Sequence, residues 1–258
     1  MPRQIFLLKE LIRRDFQARY AGSLLGFLWP FLLPLWQLLL FTFVFSTVMK
    51  IKIAQLGEHT DTFGIFLFAG LLPWMAIQEG IVRSATAIVD NAALVRHSRF
   101  HSSVLVLAVV LSALLQQGIA AAVFLAILAA LGDLAPGGLP LLALALPLQV
   151  ALTLGLGLIV CCFHTLFRDT AQLLGLVTMG WFYLTPIVYP LSLVPERYQI
   201  WLEWNPLTAL VGIYRQAFLG GELAWQPGTG RLAVIAALLL AAGMWLFRRL
   251  EASFADEI

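Results

Sequence analysis

The chain has 258 residues, of which 61% are hydrophobic and 12% are charged, and its formal net charge is +2. Soluble domains carry roughly 25% charged residues, so this composition excludes an ordinary soluble enzyme and indicates a polytopic membrane protein. The net charge does not indicate nucleic-acid binding, because membrane topology accounts for the basic residues. Neither the adjacent Cys161 and Cys162 nor the pair His97 and His101 forms a pattern typical of a disulfide or a metal site.

The first predicted element covers residues 1–22. Apolar residues recur at helical spacing from Ile5 to Phe16, whereas the basic residues Lys9 and Arg13 take other positions. This pattern predicts an amphipathic helix in the cytoplasmic membrane interface, with a helix in solvent as the alternative. The segment has neither the apolar core nor the small-residue cleavage site of a signal peptide, so we expect no cleavable leader here.

Six apolar segments have the length that a membrane-spanning helix needs, about 17–25 residues or more. They are residues 23–49, 63–88, 103–131, 139–166, 170–189 and 231–248. An even number of spans puts both termini on the same side. Lys and Arg are in excess in the N-terminal segment, in the loops after spans two and four, and in the C-terminal tail, which places both termini in the cytoplasm. The sequence therefore predicts one all-α domain over residues 1–258 with six transmembrane helices.

The loop after the second span, residues 89–102, is polar and basic. Asn91 or Asp90 can cap a short helix in this loop that exposes Arg96 and Arg99 to the cytoplasm. The alternative is a solvated turn whose charges serve only to set the topology.

The fifth span ends in an unusual way. Pro186 and Pro190 break the helix, but the chain stays apolar and aromatic beyond them. Asn205 and Pro206 then have the pattern of an N-cap followed by a first-turn proline. The helix that they begin is too short to cross a bilayer and too apolar for a solvated loop, so residues 191–225 are predicted to form an external re-entrant region.

Several motifs resemble those of one transporter family. They are FRD at 167–169, FYLTPIVYP at 182–190, NPL at 205–207 and YR at 214–215. Together they resemble the second half of an ABC-2 type permease, and more narrowly the subunits that export O-antigen, capsule or teichoic acid polysaccharide. The likeness continues to the N-terminus and covers nearly the whole chain.

The resemblance implies a homodimer in the bacterial cytoplasmic (inner) membrane that works with two copies of a separate ATPase subunit. ATP and Mg²⁺ would bind to that partner, because this chain lacks the G-x-x-x-x-G-K-[ST] loop. It also lacks a nucleophile–base arrangement and paired intramembrane carboxylates, so we expect neither an enzyme nor an ion-driven carrier. The cargo implied is a lipid-linked glycan.

The resemblance also assigns roles to particular residues. The coupling helix, which docks on the ATPase, would contain Asn91, Arg96 and Arg99. The phosphate of the lipid carrier would be attracted by Arg14 and Arg19. Aromatic residues in spans mostly contact lipid or other helices, but a subset would line a conduit along which sugar rings slide: Trp29, Trp36, Trp181 and Tyr183. The outer gate would include Pro186, Pro190, Asn205 and Pro206.

Three other functions fit parts of the sequence. An ABC-2 exporter of a drug or small lipid would have a narrower and less aromatic pathway. A passive channel or secondary carrier would transport without an ATPase, and a membrane anchor for a glycan-synthesis complex would not transport at all.

Overall fold

The computed structural model describes residues 2–20, 23, 25–50, 62–97, 101–220 and 228–254. The α-helices in these ranges are α1 (Pro2–Tyr20), α2 (Trp29–Phe41), α3 (Phe63–Thr86), α4 (Ala92–His97), α5 (Ser103–Leu131), α6 (Leu142–Leu166), α7 (Thr170–Tyr183), α8 (Glu196–Trp204), α9 (Pro206–Leu219) and α10 (Thr229–Leu250). A π-helical segment, Thr42–Val48, continues α2. A 3₁₀ segment, Pro136–Leu141, leads into α6.

Within the residues that the structure describes, five stretches are long and apolar enough to cross a membrane. They are Trp29–Val48, Phe63–Thr86, Ser103–Leu131, Pro136–Leu166 and Thr229–Leu250. These stretches coincide with five of the six predicted spans, namely spans one to four and span six.

The predicted fifth span, residues 170–189, differs from the others. Its helix, α7, has 14 residues, which at 1.5 Å per residue gives a length of about 21 Å. The hydrocarbon core of a bilayer is about 30 Å thick, so α7 alone does not cross it. Turns follow α7 from residue 184, close to Pro186, which lacks the N–H that a helical hydrogen bond requires.

The centre of the fold is α3, which packs against α2, α5, α6, α7 and α9. In the most apolar segment of α3, 78% of the residues are buried inside the protein. The other long helices are arranged around α3, and α10 packs on the outer side of α6.

Small residues allow α6 and α10 to approach closely. A side-chain carbon added to Gly155 would lie 2.5 Å from the backbone nitrogen of Leu240, and one added to Gly243 would lie 2.5 Å from the carbonyl oxygen of Gly155. Glycine at these positions therefore lets the two backbones pack in contact, as is common between membrane helices.

The helices α2 and α7 leave apolar surface uncovered. Trp36 on α2 is 60% exposed and Leu176 on α7 is 71% exposed. In the most apolar segment of Trp29–Val48, only 11% of the residues are buried inside the protein. Lipid or another protein must therefore cover these faces in a membrane.

Candidate functional site

Asn205 connects the end of α7 to the start of α9. Its side-chain oxygen accepts hydrogen bonds from the backbone nitrogen of Leu207, at 3.0 Å, and from Trp181 Nε1, at 3.0 Å. Its side-chain nitrogen donates to Thr185 Oγ1 at 2.8 Å and to the carbonyl of Leu184 at 3.2 Å. The predicted N-cap is thus present, and the same side chain also holds the turn that follows α7.

Arg215 holds the next part of the same turn from the other half of α9. Its guanidinium donates to the carbonyl oxygens of Pro186, at 2.8 Å, and Ile187, at 2.6 Å. The guanidinium carbon lies 3.6 Å from the ring centre of Phe66 on α3. We call these residues, from 184 to 187 with Asn205 and Arg215, the turn–α9 network.

The predicted gate prolines lie beside this network. Pro186 and Pro190 are both buried, and Pro206 is the first residue of α9. The sequence identified Asn205 from its capping pattern. It indicated no contact for Arg215, because no rule of spacing joins an arginine to carbonyls 28 or 29 residues earlier in the chain.

The four predicted conduit aromatics have different surroundings. Trp181 is half-buried and lies edge-on to Trp74, with ring centres 6.2 Å apart. Tyr183 is 58% exposed. Trp29 donates to Ser23 Oγ at 2.6 Å. In the part of the chain that the structure describes, no ring contact joins Trp29 or Trp36 to Trp181 or Tyr183.

At the other end of the molecule, Arg14 and Asn91 are bonded to each other. Arg14 Nη2 donates to Asn91 Oδ1 at 2.6 Å, and Asn91 Nδ2 donates to the carbonyl of Ala87 at 2.9 Å. The sequence assigned these two residues to separate sites, the lipid-phosphate site and the coupling helix. The side chain of Asn91 therefore joins α1 to the end of α3. It makes these two hydrogen bonds in place of the predicted cap on α4.

Asp15 fixes the same part of α1 to α3 and α5. Its carboxylate is paired with Arg83 of α3 through both guanidinium nitrogens, one of them at 3.0 Å. Ser112 of α5 donates to it at 2.5 Å, and Arg83 also lies 3.5 Å from Glu79. We call Arg14, Asp15, Arg83, Asn91 and Ser112 the α1 network.

The remaining predicted basic residues are only partly described. Arg96 is exposed on α4. Arg19 lies in the last turn of α1, but its side chain is outside the described residues, and so is the whole of Arg99. Among the residues that the structure covers, no group of three or more His, Cys, Asp or Glu could hold a metal ion.

A buried amide cluster in the bundle was missed by the sequence analysis. Tyr214 donates to Gln149 Oε1 at 2.5 Å, and Gln149 Nε2 donates to Gln117 Oε1 at 2.6 Å and lies 3.4 Å from the carbonyl oxygen of Pro73. Polar side chains within apolar spans are rare and usually have a role, so the two glutamines were a signal that could have identified it. The cluster joins α9 to α3, α5 and α6.

Comparison with known proteins agrees with this architecture. The family model for the ABC-2 type transporter matches residues 7–219. The O-antigen export system permease protein RfbA of Myxococcus xanthus is 30% identical over 254 residues, which cover 98% of this chain and 95% of that protein. The protein of the same description from Klebsiella pneumoniae is 28% identical, with 97% and 94% covered. The polysialic acid transport protein KpsM of Escherichia coli is 26% identical, with 94% and 93% covered.

Proposed function

The chain belongs to the ABC-2 type transporter family, and we propose from that premise that it is the membrane permease subunit of an ATP-driven polysaccharide exporter. The observation that carries this proposal is similarity along almost the whole length of both chains to proteins described as O-antigen and polysialic acid export permeases. These descriptions favour a polysaccharide of the O-antigen or capsule type over a drug or small lipid as the cargo.

The chain is a multi-pass membrane protein, and we propose six spans with both termini in the cytoplasm. In this arrangement α7 and the turn after it cross the membrane together as the fifth span. The short α9, whose buried residues include Leu207, Leu210 and Phe218, forms the re-entrant element within residues 191–225. The re-entrant assignment is supported by the length of α9, 14 residues, which is less than a span requires.

The exporter would be a homodimer of this chain with two copies of an ATPase subunit. Uncovered apolar faces on α2 and α7 support a second copy, because burying such surface stabilises association. The glycan, linked to a lipid, would pass along the dimer axis between the two copies of α2 and α7. Trp29, Trp36, Trp181 and Tyr183 would line that conduit, and residues 186 to 206 would close its outer end.

The α1 network suggests how the ATPase would act on the membrane helices. Arg96 and Arg99 would dock on the ATPase, and the bond between Arg14 and Asn91 would make α1 move together with the coupling helix. Since Arg14 has this partner, Arg19 is the residue to test first for attraction of the lipid phosphate.

The test is purification of the tagged chain in mild detergent from its native membrane. ATP hydrolysis is then measured with and without extracted lipid-linked polysaccharide. We expect a P-loop ATPase to co-purify and its activity to rise with the glycan. A permease that purifies without any ATPase would contradict the proposal and would favour a carrier or a scaffold.

A further inference from the structure

Where α7 ends, the backbone leaves carbonyl groups without helical partners. The last carbonyls of α7 itself are bonded locally, by the backbone nitrogens of Leu184 and Thr185 and by the hydroxyls of Thr185 and Tyr189. The carbonyls of residues 184, 186 and 187 lie beyond the helix and have no helical donor. Inside a membrane, water is not available to bond them, so another part of the protein must supply donors.

Asn205, the N-cap of α9, and Arg215, within α9, supply these donors. Asn205 donates to the carbonyl of Leu184 and to Thr185 Oγ1, and Arg215 donates to the carbonyls of Pro186 and Ile187. Four successive residues, 184 to 187, are therefore held by one short helix and its cap.

The position of the Arg215 guanidinium is fixed on its other sides as well. It stacks on Phe66 at 3.6 Å. A side-chain carbon at Gly70 would lie 3.0 Å from Arg215 Nη2, so the glycine leaves the space that the guanidinium fills. A planar group with several N–H donors can bond two carbonyls and stack on a ring at once, whereas an ammonium group on a flexible chain cannot reproduce this geometry.

The neighbouring residue anchors α9 to another helix. Tyr214 donates to Gln149 of α6 within the buried amide cluster. Because Tyr214 is 1% exposed and bonded to the bundle, α9 has a fixed position from which Arg215 can hold the turn.

We propose that Arg215 is the positioning residue of the outer closure: its guanidinium holds the turn at Pro186 and Ile187 against α9 and α3 and thereby keeps the exit shut at rest. The inference rests on the proposed function only in taking this turn as the exit.

The test measures access to the turn through a cysteine at Val188, a half-buried position next to the held carbonyls. V188C is combined with Arg215→Met, with Arg215→Lys, and with Arg197→Met as the control. Arg197 is an exposed arginine that stacks on Tyr198 at 4.6 Å. The permease is placed in nanodiscs without ATP, and the rate of labelling by N-ethylmaleimide is followed by mass spectrometry.

We expect Arg215→Met to raise the labelling rate of V188C on the order of tenfold or more, since hydrogen bonds to a charged donor are lost. Arg215→Lys should raise it less, and Arg197→Met should leave it unchanged. The native Cys161 and Cys162, which are 0% and 1% exposed on α6, report general loosening in the same samples and should label at their original rates.

Three results would overturn the inference. An unchanged rate in Arg215→Met would show that the turn does not depend on the guanidinium. An equal rise at Cys161 and Cys162 would show general destabilisation in place of a local effect. Arg215→Lys is the variant to use if Arg215→Met does not fold. A wild-type labelling rate in Arg215→Lys would show that a guanidinium bonded to two carbonyls is not required. None of these measurements involves ATP or glycan, so they remain informative if the proposed cargo is wrong.

Discussion

Asp15→Asn should loosen α1 from the bundle. The change removes the negative charge that pairs with Arg83, while the amide keeps nearly the same shape. Two unit charges about 4 Å apart interact with about 4 kcal/mol at an effective dielectric constant of about 20. The side chains of Arg83 and Asp15 are 34% and 19% exposed, so solvent screening reduces this value, and Glu79 still pairs with Arg83 in the variant. We expect a net loss of about 1–2 kcal/mol.

Hydrogen–deuterium exchange measures this loss directly. If α1 undocks locally, a loss of about 1–2 kcal/mol speeds exchange of its amides by about 5- to 30-fold at constant pH. Peptides from α6 and α10 should exchange at the wild-type rate. The matched control is Glu10→Gln, which removes a carboxylate from an exposed position of the same helix.

Exchange of α1 that stays within twofold of wild type in Asp15→Asn would refute the reasoning. The apolar packing of α1, for example through Leu11, which is 7% exposed, would then hold the helix without the ion pair. Equal acceleration in Glu10→Gln would indicate that net charge matters and not the specific partner.

Three further changes test other parts of the structure. Tyr214→Phe removes a hydrogen bond of the buried amide cluster and should lower the free energy of unfolding in detergent by about 1 kcal/mol; no loss would mean that the cluster does not stabilise α9. Gly155→Ala should cost about 1–3 kcal/mol, because the added carbon overlaps the backbone of α10. The control is Gly118→Ala, at a position with open space around it, which should not lower the free energy of unfolding. Equal melting temperatures for the two variants would contradict the close packing of α6 and α10. Arg96→Glu combined with Arg99→Glu should abolish co-purification of the ATPase while the permease keeps its size-exclusion profile; retained ATPase would show that these residues do not dock it.

Local rules predicted part of the candidate site correctly. The cap at Asn205 and the proline at the first position of α9 follow from the residues themselves, because a cap bonds a backbone group two residues away. The break after α7 follows in the same way from Pro186. The predicted fifth span, residues 170–189, stays a prediction; α7 covers residues 170–183 of it. Apolar composition continues through the turns and does not show where the helical hydrogen bonds stop.

The residues that connect distant helices could not be predicted in this way. Arg14 and Asn91 are 77 positions apart, Arg83 and Asp15 are 68 apart, and no periodic pattern relates them. The family resemblance suggested that Arg14 attracts the phosphate of a lipid carrier. Whether it has a protein partner depends on which helices are neighbours.

The sequence by itself determined that the chain is helical and membrane-embedded, where its long apolar segments lie, and which family it belongs to. These properties depend on apolar length, on caps and prolines, and on motifs, all of which act within a few residues. Only the tertiary structure decided that Arg215 holds the turn after α7, that Asp15 pairs with Arg83, and that Tyr214 joins the buried amides. A polar group in an apolar surrounding must bond to whatever donor or acceptor the packing brings within reach, and that packing is a property of the whole assembled bundle.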